Sequence, residues 1–182
     1  NDGFDSRIYL LVKGKIKISE VDDRGDELIK EILTPTEIFG DVGLDGTISD
    51  DEFAEALTEN TVICSFRSSE FKQLMQTNVV LAMNFIQQVS GKFRRLENRH
   101  ANLVFKDAKS RLISFFRDWA SREGSKEGAK IKLNNYLTHN DIAGIISTSR
   151  QSVTTLLNEL KEGGFIYYNR KHIEFSDRYL VN

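Results

Sequence analysis

THNDIAGIISTSRQSVTTLLNEL, residues 138–160, decides the fold. Small or apolar residues at Ile142, Ala143, Ile146, Val153 and Leu156 fall at the spacing of two short helices that cross steeply over a shared core. The segment therefore reads as a helix-turn-helix. Ala143 sits at the close crossing, where a larger side chain would push the helices apart. Thr138 and Ser149 stand where each helix needs a side-chain oxygen for its free N–H groups. At the turn, where glycine is usual because φ is positive, this chain has Ser147, which is strained but tolerable. The second helix turns Arg150, Gln151, Thr154 and Thr155 outward. Arg can fork onto guanine, Gln onto adenine, and Thr offers a hydroxyl and a methyl to base edges. The same apolar spacing also fits an ordinary helical hairpin, so the flanking sequence has to discriminate.

The charge distribution does so. The formal net charge of the 182-residue chain is −2, but residues 1–70 hold 7 Lys or Arg against 17 Asp or Glu, whereas residues 71–182 hold 18 against 10. An acidic half followed by a basic half implies two domains with different partners, the second one a candidate for nucleic acid. With 40% apolar and 29% charged residues the chain is long enough for one large or two small cores. No apolar run approaches the roughly 18 residues that span a bilayer, and no leader pattern opens the chain, so the cytoplasm is expected. The single Cys64, in an apolar strand-like run, is expected to be a buried thiol. Three scattered His and one Cys give no metal-ligand spacing.

From Arg7 to Phe66 the pattern is that of short strands (IYLLV, KIKIS, ELIKEIL, FAEAL, TVICSF), bounded by turns such as Lys13-Gly14 and Asp22-Asp23-Arg24-Gly25. Strands at this spacing make a small antiparallel sandwich or barrel. The chain begins almost directly in a strand, which predicts a further segment upstream. After Phe66 the period lengthens. Ser68 or Ser69 is expected to cap a short helix through Met75, and Asn78 a longer one to about Val104. In the long helix Val79, Ile86, Phe93 and His100 recur every seven residues, as do Ala82, Val89, Leu96 and Leu103. This heptad seam suits a second copy of the chain, with the charges of GKFRRLENRH on faces that are otherwise wet. Packing on the chain's own sandwich is the alternative. His100 is read as a packed histidine rather than a ligand.

Phe105-Lys106 reads as a hinge, Asp107 as the cap of a helix with core stripe Leu112, Ile113, Phe116 and Trp119, and residues 122–130 (REGSKEGAK) as a loop. Beyond the helix-turn-helix, Gly163-Gly164 stops the helix, and FIYY and HIEF form two strands joined through Asn169-Arg170-Lys171. This is a wing. Arg170 and Lys171 at its tip, with Thr138 and Ser149, are the candidate phosphate contacts. Ser, His and Asp occur, but without a nucleophile elbow, phosphate loop or paired-histidine motif, so no enzyme is expected.

In this order, IYLLVKGKIKI, IFGDVGL (38–44), AEALTENTVIC and DIAGIISTSRQSVTTLLNELKEGGFI make the chain resemble the Crp/Fnr family of bacterial transcription regulators over essentially its whole length. The resemblance implies an α+β fold: a cupin-like N-terminal antiparallel β-roll for effector binding (1–76, lacking its first strands), a dimerisation helix (77–105) and a winged helix-turn-helix (106–182). It also implies a homodimer on a pseudo-palindrome, seamed through Ile86, Val89, Phe93, Leu96, His100 and Leu103. The expected partners are double-stranded DNA, a second copy and RNA polymerase, with no membrane and no cofactor. By resemblance the effector pocket is Gly40, Asp41, Val42, Gly43, Asp50 and Asp51, and Asp41 replaces the Glu that accepts a ribose hydroxyl. Where cyclic-nucleotide-binding members carry an Arg-Ser pair for the cyclic phosphate, this chain has Asp50-Asp51. A carboxylate about 4 Å from a phosphate at an effective dielectric near 20 costs about 4 kcal/mol, roughly a thousandfold in affinity. Tight binding of cyclic AMP or cyclic GMP is therefore not expected, an iron–sulfur cluster would need ligands from upstream of this chain's single cysteine, and neither Cys64 nor His100 is well placed as a haem ligand. The effector is left unidentified, and the alternative is a cyclic-nucleotide or haem/gas sensor whose DNA binding is conditional on its ligand.

Overall fold

A computed structural model describes residues 6–25, 27–44, 52–128 and 130–176. They fall into two compact units, Asn1–His100 and Ala101–Asn182.

Among the described residues of the first unit, six strands form two antiparallel three-stranded sheets. One has the order β4 (Ile38–Gly40), β1 (Arg7–Lys13), β6 (Val62–Arg67), and the other β3 (Glu27–Leu33), β2 (Ile16–Val21), β5 (Glu52–Ala56). Alternation on β1 and β2 sends Leu11, Ile16 and Ile18 onto Leu33 and Phe39, with Tyr9 stacked on Phe39 at 5.0 Å between ring centroids. A second cluster of Ile8, Ile38 and Phe71 takes in Phe66 and Phe85. These bring in the helices α1 (Ser68–Thr77) and α2 (Val79–Phe105). The α+β plan expected from the sequence is thus the observed one.

Two local expectations need correction here. Neither Ser68 nor Ser69 caps α1: strand β6 runs straight into it, Arg67 is the capping residue without a side-chain bond, and buried Ser68 instead sits with its Oγ 2.9 Å from Ser6 Oγ. Asn78 does cap α2, its Oδ1 accepting from Leu81 N at 3.0 Å. Cys64 is exposed rather than buried. Apolar composition suggested a covered strand, but β6 is an edge strand among the described residues and is paired only with β1.

The second unit opens with α3 (Ala108–Glu123), capped by Asp107, whose carboxylate accepts from Ser110 N at 2.7 Å. Leu112, Phe116, Trp119 and Ala120 are buried, with Ile113 half-buried beside them. The expected loop at 122–130 is instead the last two residues of α3 followed by paired strands. The chain leaves α3 at Gly124, where a Cβ would meet the Ala120 carbonyl at 2.4 Å, and β7 (Ser125–Glu127) pairs antiparallel with β8 (Lys130–Asn134). Its polar composition hid it because β7 is an exposed edge strand. Beyond α4 (His139–Ile146) and α5 (Arg150–Glu162), strands β9 (Ile166–Tyr168) and β10 (His172–Ser176) complete a sheet of order β7-β8-β10-β9.

Candidate nucleic-acid interface

Helix α4 starts in a reciprocal cap. Thr138 Oγ1 accepts from Asp141 N at 3.1 Å, and the Asp141 carboxylate accepts from Thr138 N at 2.8 Å and from its hydroxyl at 2.6 Å. The helix ends at Ser147, which is left-handed at φ 53° and ψ 63°, as the turn requires. Ser149 then caps α5 by accepting from Ser152 N at 3.0 Å. Ile142, Ala143 and Ile146 of α4 and Val153, Leu157 and Leu160 of α5 are buried, and the two helices pack together. Leu157, and not Leu156, is therefore the core residue of that turn; Leu156 is half-buried. Two adjacent leucines leave the register ambiguous until the partner helix fixes the rotation of α5.

The remaining surface of α5 exposes Arg150, Gln151 and Thr155. Thr154 is half-buried, and its hydroxyl is bonded within the domain, donating to Arg150 O at 3.0 Å and lying 2.8 Å from His139 Nδ1. At the wing, Asn169 Oδ1 accepts from Lys171 N at 2.8 Å and His172 N at 2.9 Å, a side-chain turn that leaves Arg170 and Lys171 exposed at the tip. Asn135 ties the tip down, donating from N to Lys171 O at 2.8 Å and from Nδ2 to Asn169 O at 3.2 Å. The sequence reading missed Arg111. It donates to the carbonyls of Lys106 and Ile146, both at 2.8 Å, and of Ser147 at 3.2 Å. Nothing local to Arg111 signals this, since two of its partners lie 35 and 36 residues away.

In the first unit, Gly40 has φ +87°, and a Cβ there would meet Arg7 O at 2.6 Å and the Tyr9 ring at 2.8 Å. That close approach turns Asp41 inward. It is 1% exposed, donates from N to Arg7 O at 2.9 Å, and accepts from the Ser6 hydroxyl. Val42 is half-buried against the Phe71 cluster and Gly43 is exposed. Asp50 and Asp51 lie outside the described residues.

Helix α2 has no buried residue. On its seam Ile86 is 53% exposed, Phe93 60% and Leu96 63%, with Val89, His100 and Leu103 also exposed. Its charged faces are not simply wet. Gln88, Lys92, Arg95 and Arg99, spaced along one side, bind the strands of the same unit. Gln88 accepts from Ile38 N at 3.1 Å and donates to Thr36 O at 2.9 Å. Lys92 and Arg95 pair with Glu31, Arg95 also reaches Glu37 at 3.2 Å, and Arg99 donates to the carbonyls of Ile29 and Lys30. A polar cavity of about 430 Å³ lies along this side, between Thr36-Glu37 and Asn84 to Arg95. No described helix is long and apolar enough to cross a membrane.

Residues 1–78 match the family model described as the cyclic nucleotide-binding domain, and residues 110–179 match that of the Crp-like helix-turn-helix domain. Such a pairing of modules defines a transcription regulator. The chain belongs to the Crp/Fnr family of bacterial transcription regulators. It is 31% identical over 168 residues to the Global nitrogen regulator of Synechococcus elongatus, covering 92% of this chain and 76% of that one. It is 25% identical over 171 residues to a CRP-like cAMP-activated global transcriptional regulator of Mycobacterium tuberculosis, covering 94% and 76%. Among solved structures it is similar to a CooA mutant from Carboxydothermus hydrogenoformans (TM-score 0.80, 25% identity, 94% and 75% covered). FixK2 of Bradyrhizobium japonicum shares the fold (TM-score 0.77, 18% identity, 97% and 86% covered).

Proposed function

We infer that this regulator acts in the cytoplasm as a homodimer that reads a pseudo-palindromic DNA site. The observation that carries this is the capped, core-anchored α5 with Arg150 and Gln151 exposed at its N-terminal end, the end that meets base edges when such a helix enters a major groove. Arg150 and Gln151 read bases and Thr154 and Thr155 assist, while Thr138, Ser149, Arg170 and Lys171 meet phosphates. The exposed stripe of Ile86, Phe93 and Leu96 supports pairing of two α2 helices, which sets two recognition helices about 34 Å apart. RNA polymerase is the further partner of such a regulator, and no catalytic role is assigned. Selection of bound duplexes from a random pool tests the reading. Two half-sites related by dyad symmetry, about one helical turn apart, are expected, and a pool without enrichment would refute it.

A relative activated by cyclic AMP makes that nucleotide the obvious effector. Asp50-Asp51, in place of an Arg-Ser pair, argues against it. The match of residues 1–78 to a ligand-binding module supports a second reading, a sensor of another small molecule whose DNA binding is conditional on that ligand. Whether the ligand-free chain shifts its selected duplex separates the two.

A further inference from the structure

A recognition helix that can roll about its axis spreads its side chains over several base pairs, so its rotation must be fixed for Arg150 and Gln151 to specify a sequence. Val153, Leu157 and Leu160 fix one side of α5 by packing. A polar contact holds the side that carries Arg150. His139, the first residue of α4, places Nδ1 2.8 Å from Thr154 Oγ1, and that hydroxyl donates to the Arg150 carbonyl at 3.0 Å. A hydroxyl has one proton, so the imidazole is the donor to Thr154 and carries its hydrogen on Nδ1. The same ring lies against Tyr168 of β9, with centroids 5.5 Å apart at 49°. Tyr168 directly precedes Asn169, whose carbonyl accepts from Asn135 in the tie that holds the wing tip. A single side chain therefore touches both elements that would meet DNA.

We propose that His139 is a positioning residue for DNA recognition: its Nδ1–H bond to Thr154 and its contact with Tyr168 set α5 against the wing. They thereby fix the register between Arg150 and Gln151 on bases and Arg170 and Lys171 on phosphates. This rests on the reading of α5 as the base-reading helix. His139 was absent from the sequence-derived site because its spacing marks it only as the first residue of a helix.

The test uses the full chain and two substitutions that divide the contact. His139→Phe keeps a ring against Tyr168 and removes the donor, whereas His139→Asn keeps a donor near the Nδ1 position and removes the ring. On the duplex selected by the wild type, His139→Phe is expected to bind about tenfold more weakly, with random duplex bound within about twofold of wild type. His139→Asn is expected to recover only part of that loss, the remainder reporting the missing ring contact with Tyr168. Adding Thr154→Val to His139→Phe should cost little more, as for two members of one contact. Imidazole nitrogen chemical shifts of the free protein should report the Nδ1–H tautomer. Equal losses on selected and random duplex, additive losses in the double variant, or an Nε2–H tautomer would each overturn the assignment. A wild type that enriches no sequence overturns the base-reading role of α5 and this inference with it; an enriching wild type with an unaffected His139→Phe overturns this inference alone.

Discussion

Arg111 Nε donates to the carbonyl of Ile146 across 2.8 Å, joining the first turn of α3 to the last turn of α4. The final carbonyls of a helix have no partner of their own, and here the next one belongs to Ser147, itself a left-handed non-glycine residue. A guanidinium fork is suited to holding both, because its donors lie in one plane. Arg111→Met keeps the stem and removes every donor. It is expected to destabilise the protein by about 1.5–3 kcal/mol, the range for hydrogen bonds with one charged partner, read from chemical unfolding of wild type and variant.

Arg150 and Lys171 should separate base reading from phosphate binding. Arg150→Ala is expected to cost roughly 1–3 kcal/mol on the selected duplex and to relax preference at one base pair in each half-site. Lys171→Ala should weaken all sequences alike and flatten the dependence of affinity on salt by about one counterion per subunit. Titrations on selected and random duplexes at several salt concentrations would expose the assignment as wrong if the two variants behaved alike.

The stripe on α2 sets the oligomeric state. Phe93→Glu places a carboxylate on the seam of each copy, at a position 60% exposed in the single chain. Association should weaken by at least about 2 kcal/mol, roughly thirtyfold, in sedimentation equilibrium. Lys72, exposed on α1 and outside the seam, serves as the control: Lys72→Glu should leave the dimer intact.

Cyclic AMP should not bind with micromolar affinity. Restoring the phosphate-holding pair by Asp50→Arg with Asp51→Ser should raise affinity, since each lost opposing charge is worth about a thousandfold at close range. Calorimetry on both proteins checks this, and tight binding by the unaltered chain would refute the argument from charge.

Stability should fall in mild acid through His139. Burial, and then the nearby Arg150 charge, hold its pKa below the ordinary value of 6.5. From α5 the ring faces Arg150 and Thr154, from β9 it faces Tyr168, and Asp141 lies on its own helix. The unfolded chain then binds the proton more readily than the folded one. The stabilisation is thus complete above about pH 6.5 and is lost as pH falls through the depressed folded value. Chemical unfolding between pH 5 and 7.5 should show this slope in the wild type and a shallower one in His139→Phe.

The elements legible from sequence are those whose causes are local. Thr138, Ser149, Asp107 and Asn78 were readable as caps because a cap acts on an N–H within three residues of itself. The heptad stripe and the wing turn at Asn169 were readable for the same reason. Ser147 was readable as the turn residue because its motif position demands a left-handed conformation whatever surrounds it.

What only the tertiary structure decided depends on groups brought together from far along the chain. Leu157 displaces Leu156 from the core because α4 fixes the rotation of α5, and the 125–134 hairpin pairs despite its polar sequence because β10 receives β8. The polar side of α2 finds Glu31 and the carbonyls of β3 some 60 to 70 residues away. Residues 138–160 by themselves marked Arg150, Gln151 and Thr155 as outward-facing on α5, but not that Thr154 is half-buried against His139. Arg111, His139 and Tyr168 determine how those side chains are held, since fixing a helix in space takes contacts on more than one side of it, and a helix's own sequence supplies only one partner in each.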